Sequence, residues 1–296
     1  MLTIFTTPKA FKGHVAIIQE NAIASWCKLR PKCQIILLGQ DYNVSRIAKK
    51  YKIMHIPNIA TNEFGTPLLS NIFKKAYAAA KFEKLAYVNC DIILTDDFVK
   101  AIKEIALSRF FMTGKRWNID LNTKLDFTRD WQRELKTKVL AEGKLGRYGA
   151  NDYFIFTPKI DFRIPDFAVG RTSWDNWLVF KAKFLKLPVI DATKVVWAIH
   201  QNHDYTHGGG YDQVWHGPES RRNQELIGDR RKLFNVKDAD YILTKDGLKK
   251  PKVTFSRVIR KIENMPVLTP KIAPVVFPLI FLIKSFKFIR DKVKHL

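Results

Sequence analysis

Residues 85–94 read LAYVNCDIIL, an apolar run that is interrupted once, by Asn89, Cys90 and Asp91, before it resumes. Its β-branched and aromatic residues predict a strand. Burying the carboxylate of Asp91 in such a strand is costly unless a metal ion or hydrogen-bond donors compensate its charge. The interruption therefore indicates a functional group at a strand end. In the simpler alternative, Asp91 caps the following turn or pairs with a lysine.

Strand-like and helical patterns alternate on both sides of this run. The predicted strands are 2–6, 34–38, 52–57, 85–94, 110–113, 153–156 and 189–199, the last as one strand or two, and the predicted helices are 16–29, 44–51, 67–82, 96–108, 131–140 and 174–185. This alternation is typical of βαβ units and predicts an α/β fold with a mostly parallel central sheet flanked by helices. Ligands of such sheets bind beyond the carboxyl ends of the strands, so we expect the site there.

Composition limits the partners of the chain. Its 296 residues, 46% of them hydrophobic, fit one large domain with an appendage. The net charge of +23 favours acidic partners such as nucleic acid, anionic lipid or phosphorylated small molecules. Three cysteines without metal-ligand spacing predict reduced thiols in a cytosolic compartment. The N-terminal residues are expected to form a strand rather than a secretory signal.

A histidine cluster is the densest polar segment. Residues 198–207 read AIHQNHDYTH and hold three of the seven histidines. Neutral imidazoles there could ligate a metal ion, and protonated ones could offset phosphate charge. In an extended segment, His200 and His203 would face opposite sides, so we do not expect the whole cluster to serve one ion. A catalytic zinc site is disfavoured because the cluster lacks cysteine ligands and a helical i, i+4 histidine pair.

The interrupted strand and the histidine cluster resemble motifs of the GT-A glycosyltransferases. In that family a D-x-D motif at the end of a central strand binds the divalent cation and the sugar nucleotide. Asp91 matches the second acid, and Asn89 stands in place of the first. The resemblance implies that Asn89, Asp91, His200 and His203 contact the nucleotide sugar. It also implies that Asp91 and His200 ligate Mn²⁺ or Mg²⁺, for which one carboxylate plus diphosphate oxygens can suffice.

The same resemblance assigns the acceptor side of the site. Residues 149–154 read GANDYF, which matches a glycine and asparagine turn of the family, so Asn151 and Asp152 are expected near the acceptor. Asp175 falls where the family places its general base, and Trp174 stands where the family usually has an acid. At a helix N-terminus the dipole should lower the pKa of Asp175, although the carboxylate could still accept a hydroxyl proton. Alternatively, Asp175 or the preceding serine only caps the helix.

Four further motifs are similar to those of a largely uncharacterised group of nucleotide-diphospho-sugar transferases from bacteria and algae. They are NEFGTPL at 62–68, GKRW at 114–117, WDNWL at 174–178 and HQNHDY at 200–205. This similarity covers residues 1–230. It suggests diphosphate contacts for Lys115 and Arg116, unless these form an ordinary basic loop, and an acceptor site shaped by Trp174, Trp117 and the region of Trp131. Glu63 is expected near the donor or, as is more common for an acid in a loop before a helix, as a cap or salt-bridge partner.

The C-terminal tail has a membrane-seeking composition. Residues 272–283 read IAPVVFPLIFLI, twelve uncharged residues, which is too short to span a bilayer. Residues 284–296 mix lysine and arginine with apolar residues, which suits a helix lying on an anionic membrane. The alternative is a helix docked on the catalytic domain with its basic face in solvent.

These patterns predict a GT-A-like catalytic domain at 1–230 and an extension at 231–296 whose segment 272–296 binds a membrane. We expect transfer of a sugar from a nucleoside-diphosphate sugar to a hydroxyl of a glycan or lipid-linked acceptor, in cell-surface polysaccharide synthesis, by an enzyme peripheral to the inner face of a membrane. A sugar nucleotidyltransferase would need a glycine-rich phosphate loop after the first strand, and TTPKAFKG at 6–13 is not one. A nucleic-acid-binding module would interleave basic and exposed aromatic residues. The aromatic residues of this chain lie largely in strand-like runs instead, so no nucleic-acid partner is expected.

Overall fold

The structure, a computed structural model, describes residues 1–128, 130–157, 160–204 and 209–293, with only the backbone of 284 and 286–293. The strands are β1 (Leu2–Thr6), β2 (Gln34–Leu38), β3 (Met54–Ile56), β4 (Lys84–Val88), β5 (Ile92–Leu94), β6 (Phe111–Thr113), β7 (Trp117–Ile119), β8 (Lys144–Leu145), β9 (Tyr153–Phe156), β10 (Val189–Asp191), β11 (Ala198–Gln201), β12 (Tyr241–Thr244) and β13 (Gly247–Lys249). The helices are α1 (Gly13–Lys28), α2 (Val44–Tyr51), α3 (Leu69–Ala79), α4 (Asp96–Lys103), α5 (Trp131–Glu142), α6 (Trp174–Phe184), α7 (Tyr211–His216), α8 (Pro218–Ile227), α9 (Phe255–Leu268) and α10 (Ala273–Val293).

A large mixed sheet forms the centre of the molecule. Its strand order is β13-β12-β10-β6-β9-β4-β1-β2-β3. Pairs along β3-β2-β1-β4 and along β6-β10-β12 are parallel. β9 runs antiparallel to both β4 and β6, and β13 returns antiparallel to β12. The predicted, mostly parallel sheet is therefore confirmed, and the chain reverses its strand order beside β1, which is where α/β sheets place their ligands.

Both faces of the sheet are buried, as expected for parallel strands covered by helices. Successive residues of β1 point to opposite faces. Ile4 packs with residues of α1, α2 and α4, whereas Phe5 packs with residues of α3 and α6 on the other side. Aromatic residues fill the second face, where Phe73 stacks on Phe156 with ring centroids 5.5 Å apart. The continuous apolar strands seen in the sequence thus correspond to a two-sided core.

The interrupted run at 85–94 forms two strands rather than the single strand that was predicted. β4 belongs to the large sheet, and β5 belongs to a second sheet with the order β5-β11-β7-β8. The predicted segment 189–199 divides in the same way, into β10 in the large sheet and β11 in the small one. Because β11 pairs with β5, with His200 opposite Ile92, the histidine cluster lies beside Asp91 at the junction of the two sheets.

The predicted extension is joined to the main sheet by its first part. β12 pairs with β10, so residues 241–249 continue the large sheet. Asp238 ties α9 to this region, since its carboxylate accepts hydrogen bonds from Arg260 at 2.7 and 2.6 Å and from Asn264 at 3.0 Å. Strands and helix α9 of the extension therefore pack with the α/β core, and α10 follows them.

The tail is a bent pair of helices. Among the described residues no single helix is long and apolar enough to cross a membrane, but the segments Phe255–Leu268 and Pro270–Ile283, bent by 107°, meet the length and composition together. Exposed apolar side chains line α10, with Val275 79% and Phe281 72% exposed. The basic side chains predicted to contact a membrane, at 284, 287, 290, 292 and 294, lie outside the described side chains.

A close approach at Gly114 allows a test of the packing at the sheet edge. A Cβ at this position, directly after β6, would overlap the buried hydroxyl of Tyr153 and lie 2.9 Å from the backbone nitrogen of Thr193. We expect Gly114→Ala to lower the free energy of unfolding by about 1–3 kcal/mol, because overpacking of a filled site strains its neighbours. The measurement is denaturant unfolding. Gly149→Ala is the matched control, since its Cβ would meet no atom closer than 3.4 Å. Equal stability of both variants would contradict the described packing.

Candidate active site

A cavity of about 560 Å³, called here the central cavity, opens at the carboxyl ends of β1 and β4. Its wall is formed by the loops that follow these two strands, by the segment before β9, by the first turn of α6 and by α7. This is the position predicted from the βαβ pattern. The volume is within the range of about 300–1,000 Å³ that is usual for ligand pockets.

Asp91 lines the central cavity and forms a cluster with His200 and His203, which are not among the residues that line the cavity. The Oδ2 atom of Asp91 lies 3.2 Å from Nε2 of His203 and 3.7 Å from Nε2 of His200. The ligand atoms of the three residues all lie within 4.8 Å of one another. The prediction that the two histidines face opposite sides is wrong, because the strand ends at Gln201 and the chain then bends back toward Asp91. Gln201 itself points inward, where its amide donates to the carbonyl oxygen of Ile18 at 2.7 Å. His207 lies outside the described residues.

Electrostatics at this cluster suit a cation. Burial opposes ionisation of Asp91, but His200, a hydrogen bond from His203 and the nearby Lys9 hold the pKa of its carboxyl well below the ordinary value. Burial lowers the pKa of His200 to about 4, although Asp91 raises it, so this imidazole is neutral at physiological pH and free to act as a ligand.

Two polar atoms of the cluster also lack partners. Among the described residues, Oδ1 of Asp91 and Nδ1 of His200 are buried and accept or donate no hydrogen bond. Buried polar atoms are rarely left unsatisfied. A carboxylate oxygen with two imidazole nitrogens is a donor set for a divalent cation, and it suits Mn²⁺ better than Mg²⁺, which prefers oxygen ligands alone. The residues present therefore fit a divalent metal site.

Lys9 completes this wall and was not predicted. It follows β1 and lines the central cavity. Gln19 of α1 fixes its backbone, accepting from the Lys9 nitrogen at 2.7 Å and donating to the Lys9 oxygen at 2.9 Å. Burial lowers the pKa of the Lys9 amine, while Asp91 raises it. The only sequence signal was its place at the end of the first strand, since a single lysine there forms no phosphate-binding motif.

Asp175 lies on another part of the wall, in the first turn of α6. Burial raises the pKa of its carboxyl to about 7, an effect that nearby Asp152 reinforces and that hydrogen bonds from the backbone N–H groups of Asn176 and Asp175 only partly offset. The prediction that the helix terminus lowers this pKa is therefore wrong, because desolvation outweighs the dipole. Ser173 makes no side-chain capping bond. A carboxyl group with this pKa is suited to general acid–base catalysis near neutral pH.

Asn89 has a structural partner that explains why it can replace an acid. Its amide donates to Oδ1 of Asp152 at 2.7 Å, and Nη1 of Arg116 contacts Oδ2 of the same carboxylate at 2.7 Å. The second carboxylate of this region is thus supplied from the loop before β9. Next to it, the side chain of Asn151 is 1% exposed, and both its polar atoms lack partners among the described residues. Asn151 and Asp152 both line the central cavity, as does Arg116.

Of the three tryptophans predicted at the acceptor site, one borders the central cavity and two lie away from it. Trp174 borders the cavity but is buried edge-on against Tyr87, with ring centroids 5.4 Å apart. Trp117 stacks on Trp197 at 5.4 Å and does not line the cavity. Trp131 is buried in the small core beside the second sheet. These two rings therefore do not shape the acceptor side of this cavity.

Two charged residues were also placed differently from the prediction. The amine of Lys115 lies over the ring of Tyr148, 4.8 Å from its centroid, and Lys115 does not line the central cavity. Glu63 borders a separate cavity between the loop at 62–68 and α8. The central cavity is lined instead by Arg147 and Arg171, neither of which was predicted. Arg171 forms an ion pair with Glu219 of α8.

Comparison with known proteins identifies the fold. No protein-family model and no curated protein sequence matches the chain. Among solved structures, TarS from S. aureus superposes with a TM-score of 0.50 at 10% sequence identity, over 94% of this chain and 50% of TarS. A TarS structure in complex with UDP-GlcNAc gives 0.46 at 12% identity, over 71% of this chain and 61% of that one. The mannosyltransferase PcManGT from Pyrobaculum calidifontis, in complex with GDP-Man and Mn²⁺, gives 0.44 at 12% identity, over 70% and 59%.

This chain thus spans between 50% and 61% of the length of these solved chains. The TarS superposition at 0.50 covers nearly the whole of the present chain, and it shows the α/β fold of the GT-A glycosyltransferases. The fold that the sequence motifs predicted is confirmed.

Proposed function

We propose that this protein is a glycosyltransferase that moves a sugar from a nucleoside-diphosphate sugar to a hydroxyl group of a glycan or a lipid-linked acceptor. The observation that carries the proposal is the arrangement of the central cavity. Asp91, which forms a cluster suited to a divalent cation with two imidazoles outside the cavity lining, lies on one part of the wall. A carboxyl group with a pKa of about 7, raised by burial, lies on another.

The first wall would bind the donor diphosphate. Asp91, His200 and His203 would hold a divalent cation, and such a cation supplies Lewis-acid stabilisation of the negative charge on a departing diphosphate. Lys9 adds an amine on the same wall, next to Asp91. The unpartnered amide of Asn151 is available to orient a sugar hydroxyl by hydrogen bonding.

The second wall would activate the acceptor. If the reaction inverts the anomeric carbon, the Asp175 carboxylate accepts the proton of the acceptor hydroxyl while that oxygen forms the new glycosidic bond and the sugar–diphosphate bond breaks. The neighbouring carboxylate of Asp152 is held in place by Arg116 and Asn89. Its negative charge helps to keep the pKa of Asp175 high enough for a base at neutral pH.

The tail supports a peripheral position at a membrane, which is part of the same proposal. The exposed apolar side chains of α10 precede residues 284–296, a segment rich in lysine and arginine. A helix of this kind lies in the interface of an anionic membrane with its apolar face buried. This position, on the cytoplasmic face where free thiols persist, would give the enzyme access to lipid-linked acceptors for cell-surface polysaccharide synthesis.

A donor panel tests the proposed activity. Full-length protein is incubated with UDP-, GDP- and CMP-sugars, each with Mn²⁺, Mg²⁺ or EDTA, and release of the nucleotide is measured. UDP-GlcNAc and GDP-Man are the first donors to try. We expect slow hydrolysis of one donor class with Mn²⁺ and its loss in EDTA, because the departing diphosphate needs a compensating charge. Absence of both turnover and calorimetric binding for every nucleotide would overturn the proposal.

A further inference from the structure

A second cavity, called here the tail cavity, lies where the tail meets the α/β core. Its volume is about 530 Å³, and it is enclosed by α6, by the short helical turn Arg230–Lys232 and by the bend between α9 and α10. Its apolar lining is mainly aromatic and aliphatic, and it includes Trp177, Phe180, Phe184, Val267 and Phe277. This space is therefore suited to an apolar ligand.

Cations border this apolar space. The amine of Lys181 lies over the rings of Trp177 and Phe184, 5.7 and 5.4 Å from their centroids. Lys232 donates to the carbonyl oxygen of Ile227 at 3.0 Å. Neither amine forms an ion pair within the described part of the chain. Two lysine amines beside an apolar cavity form a binding site for an anionic group with an apolar tail.

The acidic groups near the cavity interact with these lysines but form no ion pair with them within the described residues. Asp229 is engaged by Arg231, whose guanidinium contacts its carboxylate at 2.6 Å and lies 5.1 Å from the ring centroid of Phe277. Burial and the charges of Arg163 and Lys232 lower the pKa of the Lys181 amine, whereas Asp161 raises it. An anion placed between Lys181 and Lys232 would relieve this repulsion.

The exposed apolar surface of the tail continues from the cavity. Phe277 both lines the cavity and is 44% exposed, and the exposed side chains of Leu279, Phe281 and Leu282 follow it along α10. A monomeric soluble protein rarely exposes such a contiguous apolar surface without a binding partner. The mouth of the cavity thus adjoins the surface that we assign to the membrane.

We propose that the tail cavity takes one acyl chain of an anionic phospholipid, with the lipid phosphate bound between Lys181 and Lys232. The inference rests on the membrane position proposed above and adds a defined lipid site to it. It also links the membrane to the active site, since α6 carries Asp175 in its first turn and Phe184 at its end. The rise of an α-helix places these two residues about 14 Å apart along one rigid element.

Quenching by brominated lipid tests the site directly. Trp177 is 6% exposed and lines the cavity, so a bromine-labelled acyl chain that enters the cavity lies close to its ring and quenches it. We expect full-length protein on phosphatidylglycerol vesicles to fluoresce less when the acyl chains are brominated. Trp177→Phe should remove most of this difference, and Trp131→Phe, which changes a tryptophan buried in the small core, should leave it intact. Equal quenching in wild type and Trp177→Phe would overturn the proposal.

Two further variants separate the cavity from general adsorption to the membrane. Ala273→Phe fills the cavity without changing charge, so it should abolish the Trp177-dependent quenching while the protein still floats with the vesicles. Lys181→Gln with Lys232→Gln should weaken vesicle binding about 30-fold, because two lysines are removed and each contributes a similar share of the free energy of binding to the anionic surface. Lys49→Gln with Lys52→Gln removes the same charge from exposed positions around the end of α2 and should bind nearly as wild type.

The outcomes distinguish the lipid site from the proposals on which it rests. Flotation without Trp177-dependent quenching would leave membrane docking intact and reject the cavity as a lipid site. Failure of the full-length protein to float with anionic vesicles would reject both. Neither result depends on sugar transfer, which the donor panel measures separately. Equal binding to phosphatidylcholine and phosphatidylglycerol vesicles would overturn the assignment of an anionic lipid.

Discussion

Replacing Asp175 with asparagine should lower kcat for sugar transfer about 10²–10⁴-fold, with a much smaller change in KM for the donor. The amide has nearly the same shape as the carboxyl group but cannot accept the acceptor proton. In wild type, kcat/KM should rise with pH through about 7, since burial raises the pKa of Asp175 to about 7 and only its ionised form acts as a base. Initial rates between pH 5.5 and 9 measure both effects.

The stability of the same variant provides an independent readout. The folded-state pKa of Asp175 lies above its ordinary value of 3.8, so the folded protein binds the proton more tightly than the unfolded chain. This group therefore reduces stability as pH rises from about 4 to about 7. Asp175→Asn removes that penalty, and its thermal midpoint at pH 8 should be at or above that of wild type. Loss of activity would then not be due to unfolding.

Asp246→Asn is the matched control, because it removes an exposed carboxylate in the β12–β13 hairpin. It should leave kcat and the pH profile unchanged. If Asp175→Asn retained wild-type kcat, or if the pH profile stayed flat through 7, Asp175 would not be the base. A retaining reaction without a protein base would be the first alternative to examine.

The sequence contained enough to predict the sheet and one half of the site. Continuous apolar runs predicted two-sided burial of strands such as β1 and β9, and the polar interruption at Asp91 identified a strand end that could hold a ligand. Both signals are local, because they depend on residues close together in the chain. These local signals do not show which distant segment of the chain completes the site.

Other features depend on packing that a local pattern does not contain. His203 reaches Asp91 because the chain bends after Gln201, whereas strand alternation predicted the opposite face. The pKa of Asp175 is set by burial in the folded protein, which outweighs the helix dipole that the sequence pointed to. Trp117 and Trp131 are aromatic residues in a loop-rich segment, and only the second sheet, which was not predicted, shows that they pack against a core.

Replacing Asp91 with asparagine is expected to weaken binding of the divalent cation and to lower kcat about 10²–10³-fold, because the departing diphosphate loses its main compensating charge. The amide cannot supply a negative oxygen to the cluster, and only the imidazoles of His200 and His203 would remain as ligands. Binding is measured without reference to activity, by the electron paramagnetic resonance of free Mn²⁺ titrated with protein in the presence of UDP. Asp130→Asn, which changes an exposed carboxylate at the start of α5, should bind Mn²⁺ as wild type.

Thermal unfolding gives a second measure of the same site. A ligand that binds only the folded state raises the midpoint by an amount that grows with its concentration relative to its Kd, so Mn²⁺ with UDP should stabilise wild type and should stabilise Asp91→Asn much less. His203→Gln should reduce the stabilisation less than Asp91→Asn does. It removes an imidazole that lies 3.2 Å from the Asp91 carboxylate, but the negative charge of that carboxylate stays in place. Equal stabilisation of wild type and Asp91→Asn would show that the cation binds elsewhere. The buried, unpartnered oxygen of Asp91 would then need another explanation, most simply a bound water that satisfies both this oxygen and His200.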